Sequence, residues 1–301
     1  MKITQANKGP LLTKTGFDNY DYCLNTYVGC RFGCAYCYVR FFIKDEKEPW
    51  GQFLRTRNHV VDRLAKEMAR LPIVKKTKKG VVKWSGPALQ DARIVMGTMT
   101  DPYQPIEKKL LLTRSALEIL EANPPKKVGI FTRSPIAARD IDIFKRLPDM
   151  HIHITVSPLP QDIKRMLEPV SVTMKAGLRL VEKMKNAGIK TNVNVAPALP
   201  FVSEQFTRFM ADELARLKVD EFFVDPMQPY AQSLEKVREC LKGHPKADAI
   251  INLMSDKPKY EAWKDQFHAD WIKAWDQSKS PNTLAIACDH ERGIRKNMAD
   301  K

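Results

Sequence analysis

Residues 28–40 read Val-Gly-Cys-Arg-Phe-Gly-Cys-Ala-Tyr-Cys-Tyr-Val-Arg, which places Cys30, Cys34 and Cys37 in the spacing C-x3-C-x2-C. Three thiolates on one short loop are soft ligands that suit an iron–sulfur cluster or zinc. A structural zinc site takes four protein ligands, and no further Cys or His near the loop completes one. The loop therefore predicts a [4Fe–4S] cluster with one iron open to an outside ligand. A structural zinc loop or plain reduced thiols is the alternative.

Short apolar strands alternate with amphipathic helices around and beyond this loop. The predicted strands are 23–28, 93–97, 127–131, 151–156, 190–195 and 221–224. The predicted helices are 59–71, 107–122, 173–187, 206–217 and 260–277. A repeated strand–helix unit implies right-handed crossovers and a parallel sheet, so the predicted fold is α/β, a partial (βα)6 TIM-type barrel with a helical C-terminal extension.

The strand–helix pattern stops near Asp225, which suggests three segments along the chain. They are an N-terminal segment (1–22), the barrel (23–230) and a C-terminal helical extension (231–301). The helix predicted at 260–277 carries an aromatic residue on each turn. We expect this stripe to pack the helix onto the rest of the protein rather than to stack on bases.

The chain has 301 residues, with 50 Lys and Arg against 35 Asp and Glu, and a net charge of +15. Such an excess favours a polyanionic partner, although a basic host proteome gives the same balance. Five lysines crowd one segment around Gly80, which reads as an exposed basic loop or hairpin that is either solvated or in contact with a phosphate backbone. They are Lys75, Lys76, Lys78, Lys79 and Lys83.

The composition also excludes some classes of protein. No apolar run approaches the length of a membrane span, and residues 1–10 lack the apolar core of a signal peptide. Six cysteines are too few for a disulfide scaffold of this length. A cytoplasmic location is therefore expected.

The cysteine motif after a first strand resembles that of the radical S-adenosylmethionine (SAM) enzymes. Other stretches, in order, resemble the spore photoproduct lyase-like branch, also called DNA repair photolyase-like proteins. They are NTYVGC at 25–30, TDPYQPIE at 100–107, FTRS at 131–134, RDID at 139–142, TVS at 155–157, LEP at 167–169 and AGI at 187–189 with the prolines at 197 and 200. The matching stretches span about residues 20 to 230, and the remainder of the chain has no match of this kind.

The resemblance implies that Cys30, Cys34 and Cys37 bind a [4Fe–4S] cluster whose open iron binds SAM. Reductive cleavage of SAM then yields a 5′-deoxyadenosyl radical that abstracts hydrogen from the substrate. An electron donor such as flavodoxin or ferredoxin is implied as a partner.

The resemblance also implies SAM contacts, most of them at the carboxyl ends of the barrel strands. They are Tyr36 and Tyr38 near the cluster and the adenosine, Thr98 and Thr100 at the SAM amine, Arg133 (where the branch has Lys) at the carboxylate, and Ser157 at the ribose or carboxylate.

One position departs from the branch. Met99 occupies the place where spore photoproduct lyase carries a hydrogen-donating cysteine, and a thioether has no S–H to give. Either another donor serves, or the reaction and substrate differ. Tyr103, Cys240 and Cys288 are conceivable donors, although a structural role is expected for each. Cys23, Cys240 and Cys288 show no spacing that would indicate an auxiliary cluster.

The predicted function is a radical SAM enzyme that modifies or repairs a nucleic-acid base, with DNA or RNA as substrate and no membrane partner. One alternative is a radical SAM enzyme acting on a small metabolite or peptide. Another is a non-catalytic, cluster-bearing protein that binds nucleic acid. A fold alone does not fix the substrate.

Overall fold

The computed structural model describes residues 2–6, 9–43, 47–57, 59–170, 172–278, 284–289 and 294–297. The strands are Lys2–Ala6 (β1), Leu12–Lys14 (β2), Tyr22–Leu24 (β3), Tyr27–Val28 (β4), Phe53–Arg57 (β5), Val74–Lys76 (β6), Val82–Ser85 (β7), Arg93–Met96 (β8), Lys127–Thr132 (β9), Met150–Thr155 (β10), Lys190–Ala198 (β11), Glu221–Pro226 (β12), Leu284–Asp289 (β13) and Ile294–Asn297 (β14). The helices are Val60–Met68 (α1), Glu107–Leu110 (α2), Leu112–Ala122 (α3), Ile141–Phe144 (α4), Gln161–Leu167 (α5), Met174–Asn186 (α6), Thr207–Arg216 (α7), Ala231–Cys240 (α8), Ala247–Ser255 (α9) and Lys257–Gln277 (α10).

The first of two compact units comprises residues 1–31, 43–153 and 187–189. In it β3 pairs in parallel with β8, and β8 pairs in parallel with β9, while β2 is antiparallel to β3. Ile94 and Val128 on these strands are fully buried, as expected of a parallel sheet covered on both faces. A separate small sheet has the order β1-β5-β4, and β6 and β7 form a hairpin. Helix α1 packs against α3.

The second unit comprises residues 32–42, 154–186 and 190–301. In it β11 pairs in parallel with β12, and β12 pairs in parallel with β13, while β14 is antiparallel to β13. Helix α6 packs on β11, and α10 packs on both α7 and α9. The predicted α/β class with parallel strands is confirmed. The expected segment boundaries after residues 22 and 230 stay predictions.

Most predicted elements are present with ends that differ by one to three residues, but two predictions were wrong. The strand expected over 23–28 is two strands in two sheets, because β3 pairs with β8 whereas β4 pairs with β5. The helix expected over 107–122 is broken at Leu111, where φ is 53° and the backbone is left-handed. The run of three leucines at 110–112 carries the apolar pattern across the second break, so the sequence pattern does not reveal it. The first break lies at the polar pair Asn25-Thr26.

The parallel strands also continue beyond Asp225, where the sequence pattern stops. Strand β13 lies in parallel beside β12, so the segment after residue 230 contains strands as well as the expected helices. A short apolar run such as Leu-Ala-Ile-Ala at 284–287 has no period that separates strand from helix. Only pairing with β12, some sixty residues earlier in the sequence, identifies it as a strand.

The aromatic stripe of α10 packs its helix onto the second unit, as the sequence indicates. Trp271 is fully buried, and its ring centroid lies 5.7 Å from that of Phe222 on β12. Trp275 lies 4.7 Å from the same ring. Asp256 caps the N-terminus of the helix, because its side chain accepts a hydrogen bond from the Lys259 amide. None of the helices in the described ranges is long and apolar enough to cross a membrane.

Candidate cluster and cofactor site

The cysteine loop follows β4 and passes from the first unit to the second after Arg31. Cys30 and Cys34 are 9% and 7% exposed, and Cys37 is half-buried. The Cys37 amide donates to the Cys34 carbonyl at 3.1 Å, and a 3-10 helix over Tyr38–Phe41 follows directly. The three cysteines form no disulfide. The loop thus turns tightly between its last two cysteines.

Two glycines give the loop its turns. Gly29 has φ of +87° and Gly33 has φ of +61°, both in the left-handed region that side chains disfavour. At Gly29 a Cβ atom would also lie 2.7 Å from the Phe53 ring and 2.8 Å from the Phe53 carbonyl oxygen. The entry to the loop is therefore packed so closely on β5 that only glycine fits.

Replacing this glycine gives the first testable prediction. We expect Gly29→Ala to lower both the stability and the iron content of the reconstituted protein. The left-handed backbone costs alanine about 1–2 kcal/mol, and the overlap with Phe53 adds about 1–3 kcal/mol. Gly80→Ala is the matched control, because Gly80 has φ of +79° and nothing within 4 Å of a Cβ. Equal losses of melting temperature and of iron in the two variants would contradict the prediction.

In the first unit, the loop after β8 holds the backbone on both sides of Cys30. The Thr100 hydroxyl donates to the Gly29 carbonyl at 2.6 Å, and Nε2 of the Gln104 side chain donates to the Thr100 hydroxyl oxygen at 3.2 Å. The Arg31 amide in turn donates to Gln104 Oε1 at 2.9 Å. Thr100 and Gln104 are both buried. Sequence reasoning missed Gln104, although it lies in the quoted stretch at 100–107.

Thr98, the other threonine predicted at the SAM amine, contacts Cys23. The two side chains are hydrogen-bonded at 2.5 Å, and Asn25 Nδ2 donates to the Cys23 sulfur at 3.0 Å. Cys23 is buried, and burial raises the pKa of its thiol. Cys23 is therefore hydrogen-bonded to a residue just after β8, and Met99, which follows Thr98 in the sequence, is half-buried.

Arg133 follows β9, and its backbone is fixed by Asp101. The Arg133 amide donates to Asp101 Oδ2 at 2.9 Å, while the Thr132 hydroxyl and the Tyr103 amide donate to Oδ1 at 2.7 and 2.8 Å. Burial raises the pKa of Asp101, and these hydrogen bonds oppose that rise. Asp101 thus ties the loops after β8 and β9 together, a role that the sequence analysis did not assign.

In the second unit, Tyr36 and Ser157 meet on one carboxylate that the sequence analysis had not singled out. The Tyr36 hydroxyl donates to Glu168, and the Ser157 hydroxyl donates to Glu168 Oε1 at 2.9 Å. Lys164 Nζ lies 3.8 Å from Glu168 Oε2. Glu168 is 1% exposed and Lys164 is 3% exposed. The sequence indicates Glu168 only through its place in the Leu-Glu-Pro stretch at 167–169, which is part of the resemblance to the branch.

The same carboxylate lies beside the point where the cysteine loop is anchored. The Ala35 amide donates to the Leu167 carbonyl at 2.8 Å, and Ala35 is part of a buried apolar cluster with Leu159, Leu199 and Tyr260. Tyr38, by contrast, is 41% exposed and packs edge-on against Phe42 with ring centroids 6.0 Å apart. The structure therefore gives Tyr36 a fixed position and leaves Tyr38 at the surface.

The conceivable hydrogen donors outside the loop have structural partners. The Tyr103 hydroxyl donates to Asp140 at 3.0 Å, and burial raises the pKa of this tyrosine well above its usual value. Cys240 ends α8 and packs against the apolar cluster of the second unit. The side chain of Cys288 lies outside the described residues.

The donor set of the loop fits an iron–sulfur cluster. No group of three or more His, Cys, Asp or Glu within the described ranges converges on a single metal ion. In a cubane each cysteine binds its own iron, so the sulfurs surround the cluster instead of meeting at one point. The loop has two buried cysteines, one half-buried cysteine and glycines in the left-handed region. These features fit a loop that wraps around a cluster.

Comparison with known proteins identifies the class of protein. The family model of the radical SAM superfamily matches residues 24–214, and the chain belongs to that superfamily. It is therefore an enzyme of the radical SAM family with a [4Fe–4S] cluster and SAM as cofactors. The predictions of family, enzyme class and cofactors are confirmed.

Two relatives and one solved structure show how far the similarity extends. An uncharacterised protein of Methanocaldococcus jannaschii is 26% identical over 247 residues, which cover 78% of this chain and 86% of the relative. An uncharacterised protein of Acidianus two-tailed virus is 28% identical over 248 residues, covering 76% and 74%. Spore photoproduct lyase complexed with dinucleoside spore photoproduct has a TM-score of 0.66 at 15% identity, covering 94% and 81%. This last likeness is one of fold, and it confirms the predicted fold.

Proposed function

We propose that this radical SAM enzyme modifies or repairs a nucleic-acid base. The observation that carries the proposal is the structural likeness, over 94% of this chain, to spore photoproduct lyase, which was solved in complex with dinucleoside spore photoproduct. The net charge of +15 supports it, because an excess of lysine and arginine favours a phosphate-bearing substrate. A reduced cluster and a nucleic-acid substrate both fit a cytoplasmic location.

In this proposal the cluster is held by Cys30, Cys34 and Cys37. With SAM and an electron from a flavodoxin- or ferredoxin-like donor, the bound cluster would supply a hydrogen-abstracting radical. The chain's own residues bind and orient SAM. The Ser157 proton is donated to Glu168, so the Ser157 oxygen can only accept there. A ribose hydroxyl can donate to it whereas a carboxylate cannot, which favours the ribose as the partner of Ser157.

The other proposed SAM contacts are also assigned from the donors and acceptors that each side chain still has available. Thr100 donates to Gly29 and accepts from Gln104, so one lone pair of its oxygen remains for the SAM amine. Arg133 is half-buried and brings the fork of donors that a carboxylate accepts in pairs. The proposed set also includes Thr98 beside the SAM amine, and Tyr36 and Tyr38 beside the adenosine and the cluster.

Met99 is the observation that favours a second candidate. A thioether in the place of the branch's donor cysteine does not suit repair of the spore photoproduct by the branch's mechanism. Methionine at this position is compatible with the repair or modification of a different base. It is equally compatible with a radical SAM enzyme that acts on a small metabolite or peptide.

The experiment that tests the proposal counts SAM turnover. We expect anaerobically reconstituted, reduced protein to release more 5′-deoxyadenosine from SAM when its nucleic acid is added, because a bound substrate couples cleavage to hydrogen abstraction. Plain DNA, UV-irradiated DNA and RNA are compared, with a polyanion without bases, such as heparin, as control. Cleavage that none of the nucleic acids changes would contradict the proposal and favour the metabolite or peptide candidate.

A further inference from the structure

A hairpin in the first unit, formed by β6 and β7, has no part in the site described above. The strands are antiparallel, with Val74 opposite Ser85 and Lys75 opposite Trp84. The turn is closed by the Thr77 amide, which donates to the Val81 carbonyl at 2.7 Å, and Gly80 there has φ of +79°. The hairpin is therefore a two-stranded ribbon with a defined tip.

The charge of this hairpin is of one sign. Between residues 71 and 90 the sequence has five lysines and no Asp or Glu. The four lysines whose exposure is described are exposed: Lys75, Lys76, Lys78 and Lys79. Within the described part of the chain none of these four forms an ion pair, so their charges are available to a partner.

The base of the hairpin packs on β3, the first of the two short strands that precede the cysteine loop. Trp84 packs edge-on against Tyr22 with ring centroids 5.8 Å apart. The Tyr22 hydroxyl donates to the Pro87 carbonyl at 2.8 Å and accepts from the Ile73 amide at 3.2 Å. A ribbon held in this way presents its lysines from a fixed base rather than from a loose loop.

The hairpin also exposes apolar side chains that a solvated loop has no reason to carry. Val81 is 63% exposed, Val82 is 53% exposed and Val74 is 45% exposed. Lysines interleaved with small apolar residues form a surface that contacts phosphates, sugars and base edges together. Its aromatic residue, Trp84, is already packed on Tyr22 and lies under Lys14 Nζ at 4.8 Å.

We infer that this hairpin binds duplex DNA, laying its lysines along the phosphate backbone at a groove. A two-stranded ribbon fits the major groove of B-form DNA, whereas the major groove of duplex RNA is too narrow for protein side chains to read. Single strands are bound mainly by stacking on exposed aromatic rings, and the only ring of this hairpin is packed against the protein. The inference rests on the proposed function, since it names the class of nucleic acid that the enzyme takes.

The test measures binding and its dependence on salt. Fluorescence anisotropy with a labelled DNA duplex gives the dissociation constant of the reconstituted enzyme across a salt series. In the test variant four exposed lysines become glutamine: Lys75→Gln, Lys76→Gln, Lys78→Gln and Lys79→Gln. We expect affinity to fall at least about tenfold, and the slope of log K against log salt to become shallower by about 2 to 4.

Two controls separate a local contact from net charge and from misfolding. The first removes four exposed lysines from the second unit and leaves the hairpin intact: Lys175→Gln, Lys183→Gln, Lys242→Gln and Lys273→Gln. The second keeps the charge by changing the four hairpin lysines to arginine. We expect both controls to bind DNA within about twofold of the wild type. Equal losses in the two glutamine variants, or tighter hairpin-dependent binding of RNA or single strands, would overturn the inference.

The outcome is independent of the test of the proposed function. If the wild type binds the duplex through the hairpin but no nucleic acid changes SAM cleavage, the inference stands and base modification fails. If a nucleic acid stimulates cleavage equally in the wild type and in the hairpin glutamine variant, with equal affinity, base modification stands and the inference fails. A wild type that does not bind duplex DNA refutes the inference directly.

Discussion

Cys34→Ala is expected to abolish cluster binding and with it the release of 5′-deoxyadenosine. Cys34 is 7% exposed, and the residue after it is fixed by the bond from the Ala35 amide to Leu167. The backbone therefore cannot shift to bring another ligand into this place. Iron and sulfide content after anaerobic reconstitution, together with the visible absorbance of the cluster, measure the loss. Activity should fall to the level of a protein-free control.

The matched control for this prediction is Cys240→Ala. Cys240 is also partly buried and packs against the apolar cluster of the second unit, but it lies outside the motif. We expect this variant to keep the iron content, the colour and the turnover of the wild type. Normal iron and colour in Cys34→Ala would refute the assignment of the loop as the cluster site, whatever the control shows.

Glu168→Ala is expected to produce the second large effect, on stability and on SAM binding together. The change removes the carboxylate that receives the Tyr36 and Ser157 hydroxyls and that lies 3.8 Å from Lys164. Breaking a buried ion pair by deleting one partner costs about 3–5 kcal/mol. Urea unfolding of the reconstituted enzyme measures the stability, and titration with SAM measures the affinity.

Tyr36→Phe is the matched control, since it deletes one hydrogen bond to the same carboxylate and keeps the ring. Loss of a single hydrogen bond costs about 1 kcal/mol. In the double variant Lys164→Met with Glu168→Leu, two apolar side chains replace the buried pair, and we expect part of the stability to return. A loss in Glu168→Ala no greater than that in Tyr36→Phe would show that the carboxylate does not organise this part of the second unit.

The sequence predicted the class of the fold with little error, while the assignment of Cys30, Cys34 and Cys37 to the cluster stays a prediction. Strands such as β8 and β9 were placed within a residue of their ends, because buried parallel strands are short apolar runs bounded by turn residues. The split between β3 and β4 and the break at Leu111 were missed. The break at Leu111 lies inside the apolar run at 110–112, and the split between β3 and β4 arises because β4 pairs with β5, which is distant in the sequence.

The carboxylates and the amide that fix the candidate site were also beyond the sequence. Asp101, Gln104 and Glu168 all lie in stretches that the sequence analysis quoted, but nothing local shows which backbone or hydroxyl each one contacts. Partners such as Arg133, Arg31 and Ser157 come from other strands and loops. Such hydrogen bonds are properties of the folded chain, since burial is what makes an unsatisfied polar group costly and its pairing specific.

By itself the sequence determined the chemistry that this protein carries. The spacing of Cys30, Cys34 and Cys37 predicts a cluster loop from ligand type and local sequence alone, without any tertiary contact. The tertiary structure decided how that loop is held. Thr100 and Gln104 fix the backbone around Cys30, and Glu168 joins Tyr36 to Ser157, because folding brings together polar groups that lie far apart along the chain.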